Sequence, residues 1–514
     1  MKNQFLKKHT QKVDVLLINP PSPDGFIYIR DINRHGRSSW ERMKWPQTSL
    51  AYLAAIAKNE GYSVDIIDCI AEDIQWPAFK TLMQKLQPKI CISNIISVTY
   101  SNDLKALLVS KQISNALTIG MGPHLTSSPE QSLYESEEID IIIRNEAEIT
   151  LQEILRLYKT NDFHSDSLKH IRGIAYIPNR FEQKESSQCV VTPQRKFIQN
   201  LDDLPRPLHE LLPLNRYWGP LIGNYTFVEA SRGCVFRCVF CRQAVMWQWQ
   251  FRSRSGRQIA EEAMYVNSLG VENILFHADT FTLDHQMVND LCDRLIEEKI
   301  QFRWACNAHV KTILDKKDLI IKMKQAGCWM IAVGIESGNN NILSNIKKNI
   351  TIEEAESVIH MINDAGIEAW GYFVLGLPGE TSLTLKDTID ASLRLPLTIA
   401  KFDIAAPYPG TEFYNDVVRK GYLQIDNYED FDQNASSVVE YPNLSRKQIK
   451  AAVRRANILF YLRKKQIIRL FKNMKDISTI KAIFFIIRDQ FKLLYKGKRL
   501  RKDATKKMGD RQKH

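Results

Sequence analysis

Three cysteines, Cys234, Cys238 and Cys241, lie within the segment SRGCVFRCVFC (231–241). Thiolates are soft ligands that favour iron–sulfur clusters, zinc or copper(I). The C-x3-C-x2-C spacing puts three sulfurs in one loop, and three thiolates leave one iron of a four-iron cube open to a ligand that is not protein. An open coordination position indicates chemistry, as it does at a catalytic zinc. A zinc site completed by a distant His or Cys, or three unrelated core cysteines, are the alternatives.

A series of alternating strand and helix patterns surrounds this loop. β-rich apolar runs occur at 225–231, 272–279, 302–308, 329–337, 368–376 and 399–407, with helical segments such as 351–366 between them. Six strand–helix repeats predict a partial or full β/α barrel, in which chemistry collects on the loops after the strands. The barrel would place Cys234, Asp279, Glu336 and the loop GLPGE (376–380) on one face.

The N-terminal part of the chain predicts a separate α/β domain. β-rich runs lie at 13–19, 63–70, 89–96, 116–122 and 139–145, and residues 49–62 have helical apolar spacing with a glycine stop. Strands separated by helices imply a parallel, Rossmann-like, doubly wound sheet with ligands at the carboxyl ends of its strands. The loops at those ends are PPSPDG (20–25) and GMGPH (120–124).

These patterns divide the chain into four regions. The α/β domain takes residues 1–165, a connector rich in proline takes 166–224, the barrel takes 225–440, and a basic helical region takes 441–514. A chain of 514 residues is too long for one ordinary core, so a division into several domains is expected.

The net charge of +12 is concentrated at the C-terminus. Residues 446–514 contain 23 Lys and Arg against 4 Asp and Glu, a net charge of +19, so residues 1–445 carry −7. A mildly acidic body disfavours nucleic-acid binding. The remaining cysteines lack disulfide-like spacing, which fits a reducing cytoplasm. Because no apolar run approaches the roughly 18–20 residues of a membrane span, we expect a cytoplasmic protein.

Two segments of the basic region, ANILFYLRKKQIIRLF (456–471) and IKAIFFIIRDQFKLLY (480–495), are amphipathic at helical spacing. Such segments suit an anionic membrane surface, an acidic partner or a helical cap on the barrel. Residues 496–514 predict disorder. Peripheral contact with the inner membrane face would favour an apolar substrate such as an isoprenoid or a porphyrin-like ring.

The cysteine motif resembles that of the radical S-adenosylmethionine (SAM) superfamily, in which an aromatic residue such as Phe240 precedes the last cysteine. The resemblance extends to HADTF (277–281), GIESG (334–338), GYFVLGLPGET (371–381) and PYPGT (407–411). It implies a [4Fe–4S] cluster on the three cysteines, whose open iron chelates SAM. One-electron reduction of SAM then yields a 5′-deoxyadenosyl radical that abstracts hydrogen from the substrate.

The same resemblance assigns cofactor-binding roles to further residues. Glu336 would accept hydrogen bonds from the SAM amino group or ribose, and Asp279 belongs to an acidic loop after the second strand. Gly376 and Gly379 would let the backbone approach a flat adenine without an intervening Cβ. Separately, Arg252 and Arg254 of FRSRS (251–255) are candidates to anchor a carboxylate.

The N-terminal region resembles the cobalamin-binding domain that precedes the barrel in one branch of the superfamily. The similar pieces are LLINPPSPDG (16–25), WPQTSLAYLAAIAKNEGYSVDIIDC (45–69), GMGPHLTSSPE (120–130) and RNEAEITLQEIL (144–155). Cobalamin is therefore expected at Gly120, Gly122 and His124. The D-x-H-x-x-G signature is absent, which implies base-off binding without a protein ligand to cobalt.

The segment 144–148 departs from the pattern of that branch. This chain has Arg-Asn-Glu-Ala-Glu where relatives have Arg-Gly-Glu-Gly-Glu. Asn145 tolerates unusual backbone angles, whereas Ala147 does so poorly. We therefore expect the loop conformation to differ if Ala147 has to take a left-handed backbone.

Together these features predict an enzyme, a cobalamin-dependent radical SAM protein that modifies an unactivated carbon, with methyl transfer as the family's commonest outcome. A cyclase or rearrangement catalyst on a porphyrin-like or hopanoid-like substrate is the alternative, because residues 29–56 resemble ring-forming and lipid-modifying relatives. A tRNA methylthiotransferase would need three further cluster cysteines, but Cys69 and Cys91 stand alone. A non-catalytic cobalamin module has no use for the cysteine triplet. The expected partners are a small-molecule or lipid substrate and a low-potential electron donor such as flavodoxin or ferredoxin.

Overall fold

The computed structural model describes residues 9, 11–30, 36–39, 41–160, 162–181, 187–219, 222–425, 427–464, 466 and 468. In these ranges the strands are, in chain order, β1 Val15–Asn19, β2 Tyr28–Ile29, β3 Arg37–Ser38, β4 Val64–Asp68, β5 Ile90–Asn94, β6 Leu117–Met121, β7 Ile141–Ile143, β8 Ile174–Tyr176, β9 Val190–Val191, β10 Trp218–Gly219, β11 Gly223–Glu229, β12 Ser231–Arg232, β13 Arg252–Ser253, β14 Asn273–His277, β15 Arg303–Ala308, β16 Cys328–Glu336, β17 Glu368–Leu375 and β18 Ile399–Ile404.

Helices connect most of these strands. The α-helices of the described ranges are α1 Thr48–Asn59, α2 Trp76–Leu86, α3 Tyr100–Ser114, α4 Pro123–Ser127, α5 Pro129–Glu135, α6 Glu148–Lys159, α7 Ser165–Leu168, α8 Gln243–Met246, α9 Gly256–Ser268, α10 His285–Glu297, α11 Val310–Ile313, α12 Lys317–Gln325, α13 Asn340–Asn345, α14 Ile352–Asp364, α15 Ser382–Arg394, α16 Glu412–Arg419 and α17 Arg446–Tyr461.

The first sheet has the order β4-β1-β5-β6-β7-β8-β9, and its first five strands in that order run parallel. Strand β1 is buried along its whole length, as expected for a parallel strand covered on both faces. Separate apolar clusters occupy the two faces, one around Leu17 and Ile92 and the other around Leu16 and Cys91. The predicted doubly wound α/β domain is confirmed, because the observed strands coincide with all five predicted β-rich runs.

The second sheet has the order β10-β11-β14-β15-β16-β17-β18. Strands β11 to β18 of this sheet are parallel, and only β10 runs antiparallel to its neighbour β11. These parallel strands match the six predicted β-rich runs, and the predicted partial barrel is confirmed. Because all six have the same direction, their carboxyl ends carry the loops that follow Glu229, His277, Ala308, Glu336 and Leu375 onto one face.

The predicted connector contributes more regular structure than its prolines indicate. Strand β8 pairs antiparallel with β7 and β9 pairs antiparallel with β8, so both extend the first sheet, and β10 adds an edge strand to the barrel. Each of these strands has only two or three residues, which is too short for an alternating hydrophobic pattern to be recognised in the sequence.

Helix α17 packs against the open edge of the barrel. Its side chains Ile449, Val453, Ala456 and Phe460 are buried in the barrel's apolar cluster. The Tyr461 hydroxyl donates to the backbone oxygen of Ala400 at 2.9 Å. Of the alternatives for the tail, the helical cap therefore describes residues 446–461. The expectations for residues 480–495 and 496–514 lie outside the described residues. Among the helices that are described, none combines the length and the apolar character needed to traverse a bilayer.

Candidate cluster and cofactor site

The loop that carries the three cysteines is held in place by backbone contacts. Strands β12 and β13 pair on either side of it, with Arg232 opposite Arg252. Gly233 has φ +83°, and a Cβ at this position would lie 1.8 Å from the backbone oxygen of Gln250. Only glycine fits this close approach at a left-handed backbone angle. The loop therefore begins at a fixed point, directly before Cys234.

Asp279 ties this loop to the loop after β14. Its Oδ2 accepts a hydrogen bond from the backbone N–H of Gly233 at 2.8 Å, and its Oδ1 accepts one from the side-chain amide of Gln243. Beside it, Thr280 Oγ1 lies 3.3 Å from Cys234 Sγ. Asp279 also lines the cavity described below, and its predicted contact with a cofactor stays a prediction. Its visible contacts orient the cysteine loop.

The chemistry of the three thiols fits a cluster ligand set. Burial raises the pKa of Cys234 and Cys241, and it raises the pKa of Cys238 to about 11. The thiols are therefore protonated until a metal displaces the protons. Among the described residues, no three His, Cys, Asp or Glu side chains gather around one point as a single ion requires. A four-iron cluster takes one thiolate per iron, so three thiols match such a cluster with one iron left open.

Glu336 ends strand β16 beside the cysteines and forms a buried ion pair with Lys348, with 2.8 Å between Nζ and Oε1. Its φ of +68° turns the carboxylate into the cavity end of the barrel. Burial opposes the charge of Lys348, but the carboxylate of Glu336 and the thiolate form of Cys238 raise the pKa of the lysine. A Cβ on Gly334 would approach Glu336 Oε1 to 2.6 Å and Lys348 Nζ to 2.9 Å, so a glycine there makes room for the pair.

An aromatic stack lies over the same loop. The ring of Phe236, between the first two cysteines, stacks on His309 with centroids 3.6 Å apart and planes 13° apart. Burial, assisted by the positive charge of Lys348, lowers the pKa of His309 to about 2. His309 is therefore a neutral ring at ordinary pH, and Phe236, His309 and Phe240 all line the cavity.

Gly376 and Gly379 occupy a turn held by another carboxylate. Glu380 Oε2 accepts hydrogen bonds from the backbone N–H groups of Gly376 and Leu377. Both glycines have left-handed φ angles, +94° and +87°. A Cβ on Gly376 would meet Ile449 of α17 at 3.1 Å, and one on Gly379 would meet Asn345 at 2.8 Å. Neither glycine is among the residues that line the cavity, so contact with adenine stays a prediction.

A cavity of about 2690 Å³ connects the two domains. Ordinary small-molecule pockets measure roughly 300–1,000 Å³, so this space can hold more than one cofactor together with a substrate. All three cysteines, Glu336 and Lys348 line it. Residues of the loop after β1 (Pro23, Asp24 and Phe26) line it from the other side, together with residues that follow β5 up to the start of α3 (Val98, Thr99, Ser101 and Asn102). A large cofactor at the carboxyl edge of the first sheet would thus face the cysteine loop across one cavity.

The predicted cobalamin residues Gly120, Gly122 and His124 lie behind the residues of the first domain that line the cavity. A Cβ on Gly120 would meet Leu125 at 2.6 Å, and one on Gly122 would meet the Asn94 amide oxygen at 2.2 Å, so tight packing explains both glycines. None of the three lines the cavity. Their role as cobalamin contacts therefore stays a prediction.

His124 lies in an aromatic enclosure. Its ring lies 4.5 Å from each of the Tyr100 and Tyr428 rings, centroid to centroid, and its Nδ1 is 2.9 Å from Ser97 Oγ. Burial, with a smaller contribution from Arg242, lowers the pKa of His124 to about 3. The Nε2 atom is buried and has no hydrogen-bond partner among the described residues.

The segment 144–148 joins the two domains. Arg232, directly before the cysteine loop, contacts Glu146 at 3.0 Å, Glu148 at 2.6 Å and Glu229 at 2.8 Å. Asn145 has φ +60° and donates to the backbone oxygens of Val245 and Met246. The expected deviation of the loop at position 147 does not arise, because Ala147 has ordinary helical angles, φ −95° and ψ −18°.

Arg252 and Arg254 belong to this junction rather than to the cavity wall. Arg252 Nη1 donates to Glu146 Oε1 at 2.8 Å, and Arg254 Nη1 donates to Glu262 Oε2 at 2.7 Å. Both are buried, and neither lines the cavity. Their charges are used inside the protein, so the structure gives no support to a role as anchors of a substrate carboxylate.

Several functional side chains have no sequence motif that would have found them. Lys348 and His309 reach the site from two different loops and Gln243 from the start of α8, and only the fold brings the three together. The cysteines outside the triplet behave as expected: Cys69 and Cys91 are buried in the core of the first domain. They do not line the cavity, which removes the basis for a second cluster there.

Comparison with known proteins identifies the class. The radical SAM superfamily profile matches residues 228–391, and the B12 binding domain profile matches residues 42–155. An uncharacterized methyltransferase of Pyrococcus horikoshii is 31% identical over 427 residues, which cover 82% of this chain and 89% of that protein. The anaerobic magnesium-protoporphyrin IX monomethyl ester cyclase of Cereibacter sphaeroides is 23% identical over 437 residues, or 84% of this chain and 69% of that protein.

Solved structures show the same architecture. The radical SAM methyltransferase TsrM of Kitasatospora setae, with cobalamin and a [4Fe–4S] cluster bound, matches with a TM-score of 0.63 at 16% sequence identity. The match covers 80% of this chain and 75% of TsrM. The protein is thus a radical SAM enzyme with a second cofactor domain. The chain belongs to the cobalamin (B12)-binding radical SAM family, and its cofactors are a [4Fe–4S] cluster, SAM and cobalamin.

Proposed function

We propose that this protein is a cobalamin-dependent radical SAM methyltransferase that acts on an unactivated carbon. The shared cavity carries the proposal, because the cysteine loop and the carboxyl-end loops of the first sheet open into one space. A radical formed on the cluster side and a methyl donor held on the cobalamin side would therefore reach the same substrate carbon. The similarity to an uncharacterized methyltransferase over 82% of this chain supports the same reading.

The cluster with SAM supplies a 5′-deoxyadenosyl radical that takes a hydrogen atom from substrate, and cobalamin supplies the methyl group. The chain's own residues hold these parts in place. Cys234, Cys238 and Cys241 bind the cluster, and Glu336, fixed by Lys348, is positioned to accept hydrogen bonds from the amino group or ribose of SAM. The stacked rings of Phe236 and His309 beside the cysteines would help to shield such a radical from water.

Anaerobic reconstitution with iron, sulfide and cobalamin, followed by turnover with methyl-labelled SAM and a reductant, tests the proposal. We expect each methylated product to be accompanied by one 5′-deoxyadenosine and one S-adenosylhomocysteine, because one SAM yields the radical and a second replaces the methyl group. Extracts of lipids and pigments from cells lacking the gene supply the substrate pool. Formation of 5′-deoxyadenosine without methylated product in any extract would contradict methyl transfer.

Ring formation or rearrangement without methyl transfer is the second candidate. It is favoured by the similarity to the anaerobic cyclase, which extends over 84% of this chain. Product mass separates the two, since methylation adds one CH2 unit whereas ring closure removes hydrogen. In the second case S-adenosylhomocysteine is not formed in step with the product.

The proposal extends to partners and location. The radical step needs one electron at low potential, which flavodoxin or ferredoxin can supply in the cytoplasm. Peripheral contact of the basic C-terminal region with the inner membrane face would bring a lipid substrate within reach. The net charge of +19 over residues 446–514 supports this contact electrostatically. Sedimentation of the full chain with anionic vesicles, compared with a chain that ends after residue 468, tests it.

A further inference from the structure

The cavity continues from the cysteine loop into the barrel. Small inward-facing residues on two central strands, Ala305, Ala332 and Gly334, leave the barrel axis open. From Met330 to Glu336 the cavity follows strand β16 for about 20 Å, at 3.3 Å per residue. The space inside the barrel is therefore long, and it lies beyond the cysteines.

The wall of this inner part is apolar and aromatic. The side chains that form it are Phe227, Leu275, Met330, Trp370 and Ile399, closed from the N-terminal domain by Met43 and Trp45. The rings of Trp45 and Phe227 lie 4.4 Å apart, centroid to centroid. Burial of apolar surface against such a wall stabilises a bound apolar group.

The rim of the same cavity carries cations from helix α17. Lys447, Arg454 and Arg455 line the cavity and are exposed. Within the described ranges, none of the three forms an ion pair with an acidic side chain. Next to them, Ile458 and Leu462 also line the cavity and are 45% and 67% exposed.

The acidic side chains that line the cavity, in contrast, already have donors. Glu41 is paired with Arg37, Asp403 with Lys401, and Glu336 with Lys348. Of the others, Asp24 accepts a hydrogen bond from Tyr28, Asp279 from Gly233, Glu429 from Ser101, Asp430 from Asn427, and Asp432 from Ser38. Glu368 also lines the cavity and has a partner of its own. The exposed side chains of α17 at the cavity therefore contribute three positive charges that no acidic side chain of the described residues pairs with.

We propose that the substrate is an anionic amphiphile whose apolar part lies in the barrel and whose acidic head group binds Lys447, Arg454 and Arg455. The inference rests on the proposed function only in that the cavity holds the substrate. The reactive carbon would belong to the apolar part, where that part passes the cysteine loop. A phosphate or a carboxylate fits the head-group position equally, because guanidinium groups bind both through paired hydrogen bonds.

Direct binding tests this assignment without turnover. The reconstituted full-length holoenzyme is dialysed anaerobically against geranylgeranyl phosphate, protoporphyrin IX, geranylgeraniol and inorganic phosphate, and separately sedimented with anionic vesicles. We expect one of the two anionic amphiphiles to bind, and the alcohol and phosphate to bind at least tenfold more weakly. Comparison of geranylgeranyl phosphate with protoporphyrin IX shows whether the preferred head group is a phosphate or a carboxylate.

Two variants locate the head and the apolar part. Arg454→Glu with Arg455→Glu should weaken binding of the anionic amphiphile at least tenfold and leave binding of geranylgeraniol unchanged. Ala332→Leu, which fills the barrel, should weaken both. The matched control is Lys316→Glu with Lys317→Glu, a charge reversal of the same size at exposed positions outside the cavity, which should change neither.

Three results would overturn the assignment. These are equal binding of alcohol and phosphate ester, an unchanged affinity in the Arg454/Arg455 variant, or vesicle binding as the only effect of the charge reversal. SAM binding and 5′-deoxyadenosine formation are measured on the same samples. If both persist while no amphiphile binds, the substrate assignment fails and the proposed radical chemistry stands; if they are absent, the proposed function fails first.

Discussion

The two sides of the cavity are built from different materials. On the barrel side the cysteine loop is surrounded by charged and polar side chains with assigned partners, such as Asp279 with Gly233 and Lys348 with Glu336. On the side of the first sheet the wall consists of strand-end loops, and the histidine and glycines of GMGPH lie buried behind it. A cluster needs specific donor atoms, whereas a large cofactor without a protein ligand to its metal needs mainly a shaped space. The cysteine side therefore depends on the identity of its residues. If cobalamin binds without a protein ligand, as the sequence predicts, the other side depends mainly on packing.

Removing one cysteine should have the largest effect and should act on one side only. In Cys238→Ala we expect loss of most of the reconstituted iron and of all 5′-deoxyadenosine, because two thiolates do not hold the four-iron cluster. Cobalamin binding should persist, since the first-sheet loops make no use of the thiol. Iron and cobalamin per chain are measured by metal analysis. The control, Cys189→Ala, changes a half-buried cysteine outside the cavity and should keep both; loss of cobalamin from Cys238→Ala would show that the two sides are not independent.

This contrast explains what the sequence predicts well. Cysteines at this fixed spacing indicate their chemistry directly. The strands of both sheets can also be predicted, because parallel strands appear in the sequence as continuous apolar runs, as in β1. The ion pair of Glu336 with Lys348 joins residues 12 positions apart across a loop, and the stack of Phe236 on His309 joins two different loops. Such contacts depend on register and crossover geometry, which no local pattern encodes.

Arg252 and Arg254 show what the sequence leaves open. A side chain that anchors a substrate carboxylate needs a charge that no protein group already pairs with. In the fold, Arg252 contacts Glu146 from the other domain and Arg254 contacts Glu262. A buried charge needs a partner, and long-range partners are not apparent before folding. Gly376 likewise has a local reason in the fold, because its left-handed turn packs against Ile449, and its contact with adenine stays a prediction.

Gly233→Ala tests how far the cluster side depends on exact backbone placement. The new Cβ would lie 1.8 Å from the backbone oxygen of Gln250, so the hairpin of β12 and β13 must open and displace Cys234. We expect strongly reduced iron loading on reconstitution. Gly270→Ala is the matched control: it also has a left-handed φ, +92°, but nothing lies within 4 Å of its Cβ position. It should lose only about 1–2 kcal/mol of stability and retain full iron loading. Equal loading in both variants would mean that the loop can shift freely.

His124 gives a pH test of the opposite side. Its pKa in the folded protein is about 3, below the usual histidine value of 6.5, so at mildly acidic pH the unfolded chain binds a proton that the folded chain does not. The contribution of His124 to the free energy of unfolding is therefore complete above pH 6.5. It decreases as the pH falls below 6.5, by about 2 kcal/mol at pH 5. His124→Gln should have a smaller difference between its urea midpoints at pH 7.5 and pH 5. Part of the pH dependence of stability remains in the variant, because His309 also has a lowered pKa, of about 2.

The same variant separates packing from cobalt ligation. If His124 serves only as a packed ring between Tyr100 and Tyr428, the electron paramagnetic resonance spectrum of bound, reduced cobalamin should be identical in wild type and His124→Gln. A nitrogen splitting that disappears in the variant would show that the histidine is a cobalt ligand. An unchanged pH slope would instead show that the ring is protonated in the folded protein.

The smallest effect concerns the junction between the two sides, where this chain departs from the glycine-rich pattern of its family. Ala147 has ordinary angles at the start of α6, so Ala147→Gly relieves no strain and should cost about 0.5–1 kcal/mol through backbone entropy. Asn145→Gly keeps the left-handed backbone but loses the two hydrogen bonds to Val245 and Met246, and should cost about 1–2 kcal/mol. Urea unfolding compares them. A stabilised Ala147→Gly variant would mean that the alanine is strained, and that the loop between the cofactors prefers the glycine conformation of its relatives.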